Sequence, residues 1–474
     1  MPGCAVGIVE GGRLVYARGF GLRDVKRGLP VTERTNFPIK SGTKAFTATA
    51  AAMLVDEGKL EWDTPISEYM PSFRMYDPAA TKHTSIRDLL AHRSGLASHY
   101  AALYTSLATS AGIIERLPYL EPRGELRSAY HYANLGYAVA GAVLEHVAGT
   151  SWQELIRTRI FRPLDMRVSG FGTDEAASLG ELAVGHRKGR RGPVSWLRGK
   201  GFDLATACAP KAPAMGIVSN VGEMGRWLRF QMNRGRIGRR RIVKWPVLRE
   251  THTAQIRVGG KVRNKHLSDV CYGMGWHVQS YRGYRWLHHS GSGHGYSASV
   301  SFMPGQSIGV VMLANGWRTP LRWIIPFSVY DRMLGLDPIP WNETYLRIAK
   351  RQQDKRTGDG EASTLREGAY PTSTLEKYMG EYEHPGYGRL SVSVERGRVR
   401  IHYNGITFRT RYCGRKVFEA TGEHEDPAVE DPIEVRASFR ASKTGSVTSV
   451  AIPLEPAVKD IVFTKMRDGG ARSG

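Results

Sequence analysis

Cysteine is scarce in this 474-residue chain: there are four, Cys4, Cys208, Cys271 and Cys413, far apart and without C-x-x-C spacing. That scatter argues against a disulfide framework or a zinc module and fits free thiols in a reducing compartment. Long apolar runs are missing too. No stretch approaches the roughly 18–20 apolar residues of a membrane helix, so no membrane span is expected. No signal-peptide pattern precedes MPGCAVGIV. Ala5 to Val9 already reads as a core strand, which points to a true start further upstream and leaves the compartment unassigned. Acidic residues are in deficit, 44 Asp and Glu against 67 Lys and Arg, for a formal net charge of +23. Much of the surplus sits in RKGRRGPVSWLRGK from Arg187 and RGRIGRRRIVK from Arg234. One reading is a surface for acidic substrates, nucleic acid or anionic lipid; the other is a solvated Arg-rich loop. Apart from Trp196, neither stretch interleaves aromatics as a nucleic-acid platform would, and no nucleic-acid partner is expected. Internal repeats and low-complexity tracts are also absent.

What is present is ordinary for a globular protein: 41% hydrophobic and 23% charged residues. The length allows more than one domain at roughly 100–200 residues each. Residues 4 to 20 read as a hairpin around Glu10-Gly11-Gly12, and helical periodicity marks 41–57, 85–92, 137–148 and 221–233. Short strand signals return at Tyr284–His288, Ala298–Met303 and Val310–Ala314, and 321–336 reads as a helix interrupted at Pro326. The order predicts an α+β fold, with one sheet built from both ends of a domain and a helical subdomain inserted between them. Residues 350 to 368 are polar and aperiodic, as in a linker. Beyond them, 374–466 is strand-like throughout, as in a small antiparallel barrel or sandwich. The expected division is 1–340, a linker at 341–373, and 374–467.

The densest chemistry lies in FPIKSGTKAFTATAAAMLVDEGKL, residues 37 to 60. Ser41 falls at or next to a helix start, where a hydroxyl can cap free N–H groups. Lys44 follows one turn later, so its amine can fold over that hydroxyl. A cap has no need of a lysine there, because a cation in the first turn is mildly unfavourable. A nucleophile gains from it: the amine can take the hydroxyl proton, and the helix end favours the developing anion. Next come Tyr132 and Asn134 in SAYHYANLGYAVAGAVLEHVAG. They read either as a core tyrosine and a cap, or as a phenol whose pKa an adjacent Lys44 lowers, with an amide that orients lysine and substrate. Third is WLHHSGSGHGYSASVSF, with His289, Ser290, Gly291 and Ser292. A glycine inside a strand marks a bulge or a place where another backbone must come close, such as a bound peptide.

In this order the three stretches resemble the serine β-lactamase and penicillin-binding-protein superfamily: S-x-x-K, Y-x-N, then Lys/His-x-Gly. PGCAVGIVEGGRLVYARGFG, RDLLAHRSGL from Arg87 and PAMGIVSNVGEMGRWLRF from Pro213 fit its pattern too. The resemblance covers about residues 1 to 336 and is nearest the class C-like stand-alone hydrolases, D-aminopeptidases and esterases among them. The C-terminal part resembles the lipocalin-like domain some of them append. The resemblance implies a β-lactamase-like antiparallel sheet with flanking helices and a helical insertion, followed by an all-β barrel. It also implies a serine hydrolase acting on a small peptide, amide or ester. Ser41 would be the nucleophile, with Lys44 and Tyr132 sharing proton transfer and Asn134 positioning the substrate. His289 and Gly291 would line the site, and the N–H groups of Ser41 and Ser292 would form the oxyanion hole. No cofactor or metal is implied, and a homo-oligomer is left open. The alternatives are a true β-lactamase and a catalytically silent basic binding module.

Two motifs are decoys. Lys443-Thr444-Gly445 is a literal K-T-G, but it falls in the second domain at an apparent hairpin turn. Gly305-Gln306-Ser307-Ile308-Gly309 is a literal G-x-S-x-G, but a strand follows it where a nucleophile elbow needs a helix. Histidine in place of lysine in the third motif is mostly neutral at pH 7, which points away from substrates that depend on a free carboxylate.

Overall fold

An antiparallel sheet of nine strands gathers both ends of the N-terminal domain. The computed structural model describes residues 1–103, 109–189, 192–195, 211–260, 264–348, 375–424 and 433–467. Cys208, Trp196 and much of the first basic stretch lie outside the described residues. The strands are β1 (Gly3–Glu10), β2 (Arg13–Asp24), β3 (Leu29–Pro30), β4 (Ile256–Arg257), β5 (Cys271–Tyr272), β6 (His277–Tyr281), β7 (Tyr284–Gly293), β8 (Tyr296–Met303) and β9 (Ile308–Ala314). Their order in the sheet is β4-β5-β6-β7-β8-β9-β1-β2-β3. β1 joins β9, with Cys4 opposite Ala314 and Glu10 opposite Ile308, so the two ends of the domain meet at the centre of the sheet.

Helices cover both faces, and the strand alternation separates the two cores. Val311 and Leu313 belong to the main core with Trp227 and Leu228 of α4 (Val221–Met232). Ile308 and Val310 pack instead with Phe327 and Tyr330 of α5 (Leu321–Met333). β8 and β9 are therefore buried along their whole length. α5 runs unbroken through Pro326, where the sequence pattern predicts an interruption. Proline costs a helix about 3 kcal/mol. Packing outweighs that here: Phe327 stacks on Tyr281 at 4.7 Å, and Tyr330 is fully buried.

The helical part carries α1 (Thr43–Asp56), α2 (Ile86–Leu90) and α3 (Asn134–Ala148). α1 is buried from Thr43 through Leu54, as expected for a helix whose alanines and threonines leave no charged outer face. Its polar side chains find partners inside: Thr47 donates to the Pro213 carbonyl and accepts from the Trp152 indole, and Thr49 accepts from Gln231. Phe46 stacks on Trp227 at 3.8 Å and anchors α1 to α4. α1 thus holds its first turn in a fixed place against the sheet.

The C-terminal strands close an eight-stranded antiparallel barrel: β10 (Gly380–His384), β11 (Gly388–Glu395), β12 (Arg398–Tyr403), β13 (Ile406–Tyr412), β14 (Val417–His424), β15 (Ile433–Ala441), β16 (Val447–Ile452) and β17 (Ile461–Lys465). Tyr378, Tyr382, Phe418 and Phe439 are buried and in mutual ring contact, so side chains fill this part of the barrel core. Lys443-Thr444-Gly445 sits in the turn between β15 and β16, and the G-x-S-x-G begins in the turn between β8 and β9; neither precedes a helix. In the second basic stretch, Arg236–Ile237 pairs with Arg240–Arg241 in a surface hairpin.

Phe46→Ala should destabilise the domain by about 3–5 kcal/mol, the usual cost of removing a fully buried phenyl ring. Denaturant unfolding checks this. A change under about 1 kcal/mol would show that α1 is held by something other than the Phe46–Trp227 contact.

Candidate active site

Ser41 lies in a short 3-10 turn, Lys40–Gly42, that leads directly into α1. It is half-exposed while its neighbours are buried. Gly42 takes the cap position of α1 and no side chain caps the helix, so the Ser41 hydroxyl is not spent on the backbone. Lys40 before it adopts a left-handed backbone (φ 52°) although it is buried, a strained conformation of the kind that clusters at functional sites.

Three contacts define the site. Lys44 Nζ lies 3.2 Å from Ser41 Oγ, the Tyr132 hydroxyl donates to Ser41 Oγ at 2.9 Å, and Lys44 Nζ donates to Asn134 Oδ1 at 2.8 Å. Lys44 also donates to the Ala214 carbonyl at 3.0 Å. Asn134 opens α3, but its amide does not cap that helix; it turns inward to the lysine. Ser41, Lys44, Tyr132 and Asn134 are thus brought together from α1, the segment before α3, and α3.

The protonation states follow from burial. Lys44 is fully buried, and burial drives its amine well below the usual lysine range. A neutral amine has two N–H donors and one lone pair. In that form Asn134 Oδ1 and the Ala214 carbonyl would take the two donors, leaving the lone pair for the Ser41 hydroxyl. Tyr132 moves the other way: burial raises its phenol above the ordinary tyrosine value, and the bond to Ser41 offsets this only in part. The sequence-based expectation of a lowered tyrosine pKa is therefore corrected. Lys44 Nζ stands over the Tyr132 ring, 4.9 Å from its centroid, and is itself discouraged from carrying charge. Tyr132 remains a phenol that donates to Ser41.

His289 faces this group, with its ring centroid 6.4 Å from that of Tyr132. Both ring nitrogens are engaged: Nδ1–H donates to the Ser290 carbonyl at 2.8 Å and Nε2 accepts from the Tyr272 hydroxyl at 3.0 Å. Burial, then His277 and Lys44, push its pKa well below 6.5, so it is neutral. Gly291 has a reason internal to the chain: a Cβ there would stand 2.2 Å from the Ile39 carbonyl oxygen. The backbone that approaches belongs to the segment leading into the Ser41 turn. Ser292, next along β7, is exposed beside that turn.

Sequence reasoning did not single out His92, Tyr100 or Tyr272. His92 holds Tyr132 from three directions. Its carbonyl accepts from His131 N at 2.8 Å, its Nδ1 accepts from Ala133 N at 3.2 Å, and its ring lies 4.4 Å from the Tyr132 ring. The loop bearing His92 is tied down by Asp88, fully buried and paired with Arg93 and Arg127. Tyr100 accepts from Asn134 Nδ2 at 3.2 Å. The signal for His92 was its place in RDLLAHRSGL; Tyr100 and Tyr272 carry no local signal. Among the described residues no group of three or more His, Cys, Asp or Glu side chains is arranged to hold a metal. His288 Nε2 donates to Gln279 and His294 Nδ1 meets Lys40 Nζ, so these neighbours of His289 serve separate contacts.

The β-lactamase family profile matches residues 1–323, and that of a domain of unknown function, DUF3471, matches 365–465. The chain is similar to the unguisins hydrolase ungD of Aspergillus violaceofuscus, 25% identical across 99% of this chain and 88% of the relative. It shares its fold with the octameric penicillin-binding protein homologue of Pyrococcus abyssi (TM-score 0.60, 22% identity, 98% and 96% of the two chains). The fold of EstCE1, a hydrolase with promiscuous acyltransferase activity, is also similar (TM-score 0.56, 22% identity, 67% and 89%).

Stability should fall as the pH drops below about 6.5. The unfolded chain binds protons on histidine near that value, whereas burial holds His252 to about 3 and His277 to about 4, and drives His92, His288 and His289 well below 6.5. Between those values the unfolded state binds more protons, so the neutral-histidine contribution is complete above pH 6.5 and is lost toward pH 4. Denaturant midpoints at pH 7.5 and 5.0 test this. An equal or higher midpoint at pH 5.0 would contradict it.

Proposed function

The chain belongs to the β-lactamase family of serine hydrolases, and from that premise we propose that it cleaves an amide, peptide or ester bond through an acyl-enzyme on Ser41. The observation that carries the reading is the buried Lys44 amine, 3.2 Å from Ser41 Oγ and held there by Asn134 Oδ1 and the Ala214 carbonyl. As Ser41 Oγ bonds to the substrate carbonyl carbon, its proton passes to Lys44 Nζ and the carbonyl becomes an oxyanion. The N–H groups of Ser41 and Ser292 receive that charge. On collapse the bond to the leaving amine or alcohol breaks, and the leaving group takes a proton through the Tyr132 hydroxyl, which Lys44 replenishes. Water then attacks the ester by the reverse path, giving a carboxylic acid and free Ser41. Two buried groups suit this cycle, since each proton taken from Ser41 is passed on to the leaving group and both groups return to their starting state.

Substrate choice follows from His289. Its neutral ring offers a substrate carboxylate no cation, and its nitrogens are committed to Ser290 and Tyr272. We therefore assign this chain to small peptides, amides or esters rather than β-lactams. Its relatives carry different hydrolase names, in keeping with varied specificity on one fold.

Intact mass after fluorophosphonate treatment should show one adduct that Ser41→Ala abolishes, with hydrolysis reduced about a thousandfold or more. Small D-amino-acid amides and esters should surpass benzylpenicillin in kcat/KM. An adduct that persists in Ser41→Ala would sink the nucleophile assignment. Benzylpenicillin as much the better substrate would sink the specificity assignment.

A further inference from the structure

The barrel touches the catalytic domain beside the active site. His99, fully buried, receives two of its bonds from the barrel: its N–H donates to Glu455 Oε2 at 2.7 Å, and its Nδ1 accepts from the Tyr387 hydroxyl at 2.8 Å. The third is local, Nε2–H donating to the Glu121 carbonyl at 3.0 Å. Two residues on, the Ala101 carbonyl accepts from Tyr403 Oη and from Asn404 Nδ2, both at 3.3 Å. A Cβ on Gly386 would lie 2.9 Å from Leu120 and 3.1 Å from Tyr119, so the barrel turn sits directly on the neighbouring loop. Glu455 is itself buried, with its second oxygen accepting from Ala457 N, so this brace is built in rather than a chance surface contact.

Between the braced residues stands Tyr100. Its ring is half-exposed, and its hydroxyl accepts from Asn134 Nδ2. An asparagine amide can face a lysine with either its oxygen or its nitrogen. Only the oxygen can accept from Lys44, so the lysine selects the orientation, and the Tyr100 hydroxyl on Nδ2 anchors the far side of the amide in it. A reversed amide would put N–H donors against the Lys44 amine and compete for its lone pair. A path of hydrogen bonds, joined by the backbone between His99 and Tyr100, therefore runs from Glu455 and Tyr387 to Asn134, Lys44 and Ser41.

We propose that the C-terminal barrel is a working part of the active site: Glu455 and Tyr387 hold the His99–Ala101 segment so that Tyr100 fixes the Asn134 amide toward Lys44. Tyr100, Glu455 and Tyr387 are positioning residues, and the inference deepens the serine-hydrolase reading on which it rests.

The test is the fluorophosphonate acylation rate of Ser41 across pH, with kcat and KM for a small ester, in the full-length protein and in Tyr100→Phe, Glu455→Ala and their double variant. The single variants should lower kcat and the acylation rate several-fold or more with KM nearly unchanged, and should shift the pH midpoint of acylation. The double variant should be no slower than the slower single, because both act through one path. Tyr387→Phe replaces Glu455→Ala in the cycle if thermal melting shows the latter unfolded. Wild-type rates and pH midpoints in folded variants, or fully additive losses, would overturn the inference alone. No labelling of wild type would overturn the hydrolase reading and this inference with it.

Discussion

A lysine amine without water around it is the constraint on which the rest of the site depends. Lys44 is buried on the first turn of a helix that is itself buried. In water its charge would be stable; here burial favours the neutral form, and an uncharged amine next to a hydroxyl is a base. For this to work, two acceptors must take the amine's protons and leave the lone pair free. Ala214 supplies one from the backbone and Asn134 the other from α3. The alanine-rich sequence of α1 follows from the same need, since small side chains let its neighbours come close enough to exclude water.

The surroundings extend this neutrality outward. His92, His277, His288 and His289 cluster behind Tyr132 and Tyr272, and burial keeps each uncharged. A cation near Lys44 would lower its pKa further, while an anion would restore its charge. The strongly basic surface and the uncharged site are thus separate properties of the chain. Excess arginine sits in exposed hairpins such as Arg236–Arg241, and the candidate site is built from groups whose charged forms burial disfavours.

Much of this was legible in the sequence because Ser41 and Lys44, the proposed nucleophile and base, are three residues apart, and helical geometry alone brings such a pair together. Tyr132 and Asn134 could be named but not oriented, since their contact with Lys44 spans ninety residues. The direction of the Tyr132 pKa was misread for a physical reason: proximity to lysine suggests a lowered value, but burial acts on both groups and removes the charge that would lower it. Gly291 was read as a bulge or as a close approach by a bound peptide, while the backbone that approaches, Ile39 of the chain itself, became visible only in three dimensions. Pro326 predicted a break that packing against β6 and β7 overrode. Tyr100 had no signal because its role depends on a domain that begins far along the chain.

The most direct test of the neutral-lysine account is the pH dependence of Ser41 acylation by a fluorophosphonate in wild type and in Tyr132→Phe. The account predicts that both rates rise with pH to a plateau, with the same midpoint, well below the ordinary lysine value of about 10.5, and a lower plateau in the variant. A midpoint that vanishes or moves markedly in Tyr132→Phe would make the tyrosine the base and contradict the account.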